Sequence, residues 1–156
     1  MQTVKIEPFR LIGISVKTTN ENGQSVKEIA ELWQRFMSEN ILTKIPNKVD
    51  SMIYSLYTDY EGDHTKPYTT ILGCKVKNLT SIPDGMVGKS FDGGNYVKTN
   101  AKGDLTKGLI VNHWSKIFEM EQNRAYDADF EIYGEKARDP SNAEVDFYVG
   151  VINKNE

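Results

Sequence analysis

One cysteine, Cys74, is too few for an intramolecular disulfide, so packing and hydrogen bonding must hold the fold together. Set within Ile71-Leu-Gly-Cys-Lys-Val76, its thiol reads as strand packing. No apolar run approaches the ~18 residues of a spanning helix. The opening Met1-Gln-Thr-Val-Lys-Ile-Glu-Pro8 lacks the basic start and apolar stretch of an export signal. These absences point to a soluble, cytoplasmic protein with no membrane contact. Positive charge is also scarce. Lys+Arg number 19 against 22 Asp+Glu, a formal net charge of -3, which argues against a direct nucleic-acid surface because phosphate binding needs a concentrated basic excess.

Histidine is nearly absent too. His64 sits in a polar loop and His113 on a helix, neither with a thiolate or second histidine at ligand spacing, so no metal is expected. No serine, cysteine or histidine lies in a nucleophile motif. Gly88-Lys89-Ser90 has Pro83 where a phosphate loop needs its first glycine, and a strand follows where a helix should start. No cofactor is expected.

What the chain does have is an ordinary globular balance: 156 residues, 38% apolar and 26% charged. That suits a single domain over residues 1–156 with a real core and no long disordered tract. It also repeats itself. Val16-Lys17-Thr18 recurs as Val97-Lys98-Thr99, and the same displacement carries Trp33 onto Trp114 and Phe36 onto Ile117.

In the first half, Phe9 to Thr18 reads as a strand between Pro8 and the turn-rich Asn20-Glu-Asn-Gly23. Ser25 with Glu28 fits a capping box, and Val26, Ile29, Trp33, Phe36 and Met37 form an apolar helical stripe ending near Asn40. Met52 to Thr58 and Tyr68 to Val76 read as an antiparallel pair joined by a polar loop.

The second half opens at the turn Pro83-Asp-Gly85 and runs as a strand pair or bulged strand from Met86 to Thr99, bent at Gly93-Gly94. Asp104 or Thr106 can cap the second helix, where Ile110, Trp114, Ile117, Phe118 and Glu121 recur every three or four residues. Two strands close the chain, Asp129 to Tyr133 and Ala143 to Val151, joined through the loop signature Asp139-Pro-Ser-Asn142. The order β-α-β-β twice over, about residues 5–78 and 83–154, predicts an α+β fold with two main helices on a largely antiparallel sheet and a ligand cleft between the halves.

Alternation on the closing strands puts Glu131 and Tyr133 on one face, and Asp146 and Tyr148 on one face of the next strand. If the strands pair, Glu131 lies near both tyrosines. A carboxylate in an apolar wall is costly without a partner, and no lysine or arginine occupies a matching strand position. A cationic guest supplies the missing charge.

Taken together, Leu11-Ile-Gly-Ile-Ser15, the helix with Leu32-Trp33 and Phe36, Tyr57-Thr-Asp-Tyr60, Tyr68 before Leu72-Gly73, Trp114-Ser-Lys-Ile117 and Asp129-Phe-Glu-Ile-Tyr133 resemble the gyrase-inhibitor-like effector-binding domains, also found at the C-terminal end of bacterial transcription activators. The resemblance covers nearly the whole chain, from about Phe9 to Ile152. It implies a pocket between duplicated halves, in which multidrug-binding members turn a buried glutamate toward lipophilic cations. The family glutamate maps onto Glu131 and the aromatic contact of the last strand onto Tyr148; Trp33, Tyr54, Tyr57 and Tyr68 are first-half candidates, joined by Tyr133, Trp114 and Phe118.

With no helix-turn-helix flanking the domain, the expected role is a stand-alone binding or sequestering module that affects transcription only through a separate regulator, and a homodimer is compatible with it. Two other readings stay open. Some relatives hydrolyse strained electrophilic toxins, which would make Glu131 a general base; the third reading is a protein-interaction regulator.

Overall fold

A computed structural model describes residues 2–120 and 123–152. Its elements are β1 (Gln2–Ile6), β2 (Phe9–Thr18), α1 (Gln24–Ser38), α2 (Ile41–Lys44), β3 (Ile53–Thr58), β4 (Tyr68–Val76), β5 (Val87–Phe91), β6 (Gly94–Gly103), α3 (Leu109–Met120), β7 (Ala128–Tyr133) and β8 (Ala143–Gly150). The strands form one 8-stranded sheet in the order β1-β6-β8-β7-β3-β4-β2-β5, and every neighbouring pair is antiparallel.

That order explains the shape. β1 lies at one edge, yet it leads into β2, beside the opposite edge, through Glu7 and Pro8; β5 leads into β6 through Asp92 and Gly93. Two linking residues span at most ~10 Å, so the sheet must curl until its edges meet. Gly93 marks the meeting point: its φ is +75°, and a Cβ there would lie 2.1 Å from the Ile6 carbonyl oxygen. The concave face buries a core drawn from all eight strands, including Ile6, Leu11, Leu56, Ile71, Phe91, Tyr96, Phe130 and Tyr148.

The helices cover the convex face. Leu32 and Phe36 of α1 pack on Ile12, Ile14, Leu72 and Cys74 of β2 and β4. Ile117 of α3 packs on Ala101, Val145, Phe147 and Val149 of β6 and β8. Phe36 and Ile117, matched by the internal repeat, are therefore the equivalent anchors. Each helix sits over its own half, so the central strands β3 and β7 form an open floor between them.

Two local expectations are corrected. The stretch from Met86 to Thr99 is neither a hairpin nor one bulged strand: β5 pairs with β2, whereas β6 lies between β1 and β8. With β1 included, the unit is β-β-α-β-β, and each half lends its leading strand to the other. Ser25 and Glu28 do not form a capping box. A short 3-10 turn, Glu21–Gly23, runs into α1, and the Ser25 amide donates to the Thr19 carbonyl. Ser25 Oγ donates to Asn20 Oδ1, and Glu28 Oε1 accepts from Thr18 and Gln24. Asp104 caps a 3-10 turn, Leu105–Lys107, just before α3, accepting from the Thr106 amide. Glu121, placed in the second helical stripe, lies outside the described residues.

Candidate functional site

β3 and β7 run side by side, with Ser55 opposite Glu131 and Tyr57 opposite Asp129. Because side chains alternate, Ser55, Tyr57, Glu131 and Tyr133 face the helices, while Leu56, Phe130 and Ile132 face the concave core. Above that floor lies a cavity of about 470 Å³ walled by Ile29 and Trp33 of α1, Ile110, Trp114 and Phe118 of α3, and Tyr68 of β4. Val26 and Val111, half exposed, form an apolar rim on the two helices.

At the floor sits Glu131, 1% exposed. Oε1 accepts from the hydroxyls of Tyr57 and Tyr133, both at 2.8 Å. Oε2 accepts from the Trp114 indole N–H at 2.7 Å. Burial penalises the charged form and raises the carboxyl to about 7, although the bonds from Tyr57, Trp114 and Tyr133 each pull it down. The phenols of Tyr57 and Tyr133 are pushed well above their ordinary range, by burial first and then by the Glu131 charge, so both remain donors.

The rings interlock. Tyr133 meets Trp33 edge-on at 4.8 Å, and Tyr57 meets Trp114 at 5.5 Å and Tyr68 at 6.0 Å. Phe147, opposite Glu131 in register, supports Trp114 from below at 5.5 Å.

Trp33, Tyr57, Tyr68, Trp114, Phe118, Glu131 and Tyr133 thus come together around one cavity. Tyr54 and Tyr148 do not. Glu131 stands opposite Phe147, which turns Tyr148 to the concave face, where it stacks on Phe130 at 4.9 Å. Tyr54 stands opposite Ile132 and also packs on Phe130. Neither can touch a guest between the helices.

Sequence reasoning missed part of the cavity wall, His64 and Arg124. His64, from the loop between β3 and β4, stacks on Phe118 at 4.3 Å with the ring planes 12° apart. Its carbonyl accepts from Asn20 Nδ2, and Asn20 Oδ1 accepts from the Tyr68 hydroxyl. Arg124, its side chain 3% exposed, donates through Nη2 to Asp129 Oδ2 at 2.6 Å. Asp129 also accepts from the Tyr60 hydroxyl and the Gly150 amide. A lone arginine in an irregular segment carries no periodic signal.

The family follows from a match over residues 2–151 to integron-associated effector-binding proteins. The chain belongs to this Cass2 family. An integron cassette protein from the mobile metagenome of Vibrio cholerae shares 27% identity, covering 97% of this chain and 95% of its own, at a TM-score of 0.75. SAV2435, whose structure was determined bound to tetraphenylphosphonium, shares the fold at a TM-score of 0.74 and 18% identity, covering 97% and 93%. YobU of Bacillus subtilis (strain 168), described as a candidate transcriptional regulator, is 22% identical over 146 residues, 91% of each chain. The α+β architecture anticipated from the repeat is that of this Cass2 fold. Among the described residues, no helix is long and apolar enough to cross a membrane.

Proposed function

We propose that this Cass2 member binds a lipophilic cation between α1 and α3, with Glu131 as its counter-charge. The observation that carries this reading is a fully buried carboxylate, under aromatic rings, that takes part in none of the ion pairs among the described residues. Apolar burial supplies most of the affinity. Trp33 and Trp114 add cation–π attraction of roughly 0.5 to 2 kcal/mol each. Such rings make few directional demands, so selectivity is broad with respect to shape and strict with respect to charge. The tetraphenylphosphonium held by SAV2435, which has this fold, is a guest of that chemistry.

A carboxyl near 7 also suits a general base acting on water. However, the bonds from Tyr57, Tyr133 and Trp114 occupy both oxygens of Glu131, which supports holding charge over abstracting a proton.

The test is to titrate tetraphenylphosphonium and a neutral tetraphenyl analogue by tryptophan fluorescence into the parent and Glu131→Gln proteins. Loss confined to the cation is expected. Equal losses, or none, would refute the reading.

A further inference from the structure

Beside Asp129, two residues from Glu131 along β7, the cavity wall has a corner with donors to spare. A guanidinium carries five N–H groups in a rigid fork. In Arg124, Nη2 is taken by Asp129, while Nε and Nη1 are buried with no acceptor. Asp129 does not take them: its Oδ1 accepts from the Gly150 amide and its Oδ2 from Tyr60 and from Arg124 Nη2. His64 Nδ1, on the same wall, is buried without a partner and adds a further donor in the tautomer that carries its proton there. Both groups gather on one ring: His64 stacks on Phe118, and the Arg124 guanidinium carbon lies 5.4 Å from its centroid. Buried donors are rarely left unmet in native proteins, and a ligand is one way of meeting them.

The corner is wired to the Glu131 floor through α3. Phe118 follows Trp114 by one helical turn, with the rings 6.0 Å apart, and Trp114 donates to Glu131. The cavity wall therefore offers a carboxylate at Glu131 and, on the side of Asp129, the guanidinium of Arg124, with the Trp114 ring 6.0 Å from the guanidinium carbon and bonded to Glu131.

We propose that the cavity has two poles and that its ligand class is the aromatic zwitterion, with a cationic centre toward Glu131 and a carboxylate toward Arg124 and His64. This rests on the cation reading above and adds the second anchor. Because Asp129 neutralises the guanidinium, the corner selects by directed hydrogen bonds more than by net charge. A neutral carbonyl therefore does part of what a carboxylate does.

The test uses three probes: tetraphenylphosphonium, the same cation with a para-carboxylate on one ring, and the methyl ester of that acid, each titrated calorimetrically at pH 8. In the parent, the carboxylate probe is expected to bind about tenfold tighter than the unsubstituted cation, with the ester between them, as for a charge-assisted bond. Arg124→Lys, which keeps a cation for Asp129 but loses the fork, collapses that ratio. His64→Phe, which keeps the stack on Phe118, reduces it. Should Arg124→Lys not fold, the Arg124 Nε–H resonance of the parent must move with the carboxylate probe and stay still with the unsubstituted cation. Equal or weaker binding of the carboxylate probe overturns the second pole, and so does a ratio that survives both variants. A parent that takes up no phosphonium at all sinks the earlier reading instead, so the two failures are distinguishable.

Discussion

Trp114 donates its indole N–H to Glu131 Oε2 across 2.7 Å, tying α3 to the sheet at the floor of the cavity. That bond favours the charged carboxylate, so its loss has a defined sign. Trp114→Phe should raise the Glu131 carboxyl further above about 7. The pH at which cation affinity is half lost then moves up, and affinity at neutral pH falls. Titrating a cationic dye at several pH values measures both.

The empty protein carries the opposite dependence in its stability. The carboxyl rises from 4.5 unfolded to about 7 folded, so the folded state holds a proton that the unfolded chain has released. The resulting stabilisation is complete below about 4.5 and is lost as pH climbs through about 7, with a size on the order of 3 kcal/mol. Glu131→Gln, able to turn its carbonyl to Trp114 and its amide to the two phenols, should flatten this slope and be the more stable protein at pH 8. Urea unfolding at pH 5 and pH 8 checks it.

Two tyrosines that look alike in the sequence should separate cleanly. Tyr133→Phe removes a donor from Glu131 and should weaken cation binding at neutral pH. Tyr148→Phe, on the concave face against Phe130, should leave affinity unchanged. Fluorescence titration of both variants decides it; a loss from Tyr148→Phe would contradict the register of β7 and β8.

Arg124 and Asp129 form an ion pair with side chains 3% and 0% exposed. Removing one partner strands a buried charge, so Arg124→Met should cost about 3–5 kcal/mol. Adding Asp129→Asn should restore part of it. Thermal melts of the single and double variants give the coupling.

Gly93 stands where the sheet edges meet, with positive φ and no room for a Cβ beside Ile6. Gly93→Ala combines about 1–2 kcal/mol of left-handed backbone strain with a clash against main chain that cannot move aside. A lowered denaturation midpoint with unchanged ligand stoichiometry is the expected result.

The sequence was most legible where signals are local. The first-half strands Phe9–Thr18 and Tyr68–Val76 stand where alternation and turn residues place them, and both tryptophans sit on the helices the repeat predicts. Glu131 was legible as a carboxylate with no lysine or arginine at a matching strand position, whereas its three donors, Tyr57, Trp114 and Tyr133, depend on the tertiary fold. What stayed hidden depends on pairing between distant segments. A one-residue difference in register decides whether Tyr148 or Phe147 shares the Glu131 face, and alternation within a strand carries no information on it. The pairing of β5 with β2 is equally nonlocal. Arg124 and His64 come from irregular segments, where no period marks which way a side chain points. Ser25 and Glu28 had the right spacing for a cap, but Asn20 and Thr18 claimed their side chains first.

The exchange of leading strands between the halves makes them mutually dependent. Severed in the connection between β4 and β5, an amino-terminal fragment would bare the flanks of β1, β2 and β3 that belong to β6, β5 and β7. Neither fragment can then close its own hydrogen-bond ladder, and each holds what the other is missing. Complementary pieces of this kind should reassemble when mixed, and a half-length ancestor would have needed a twin to be stable.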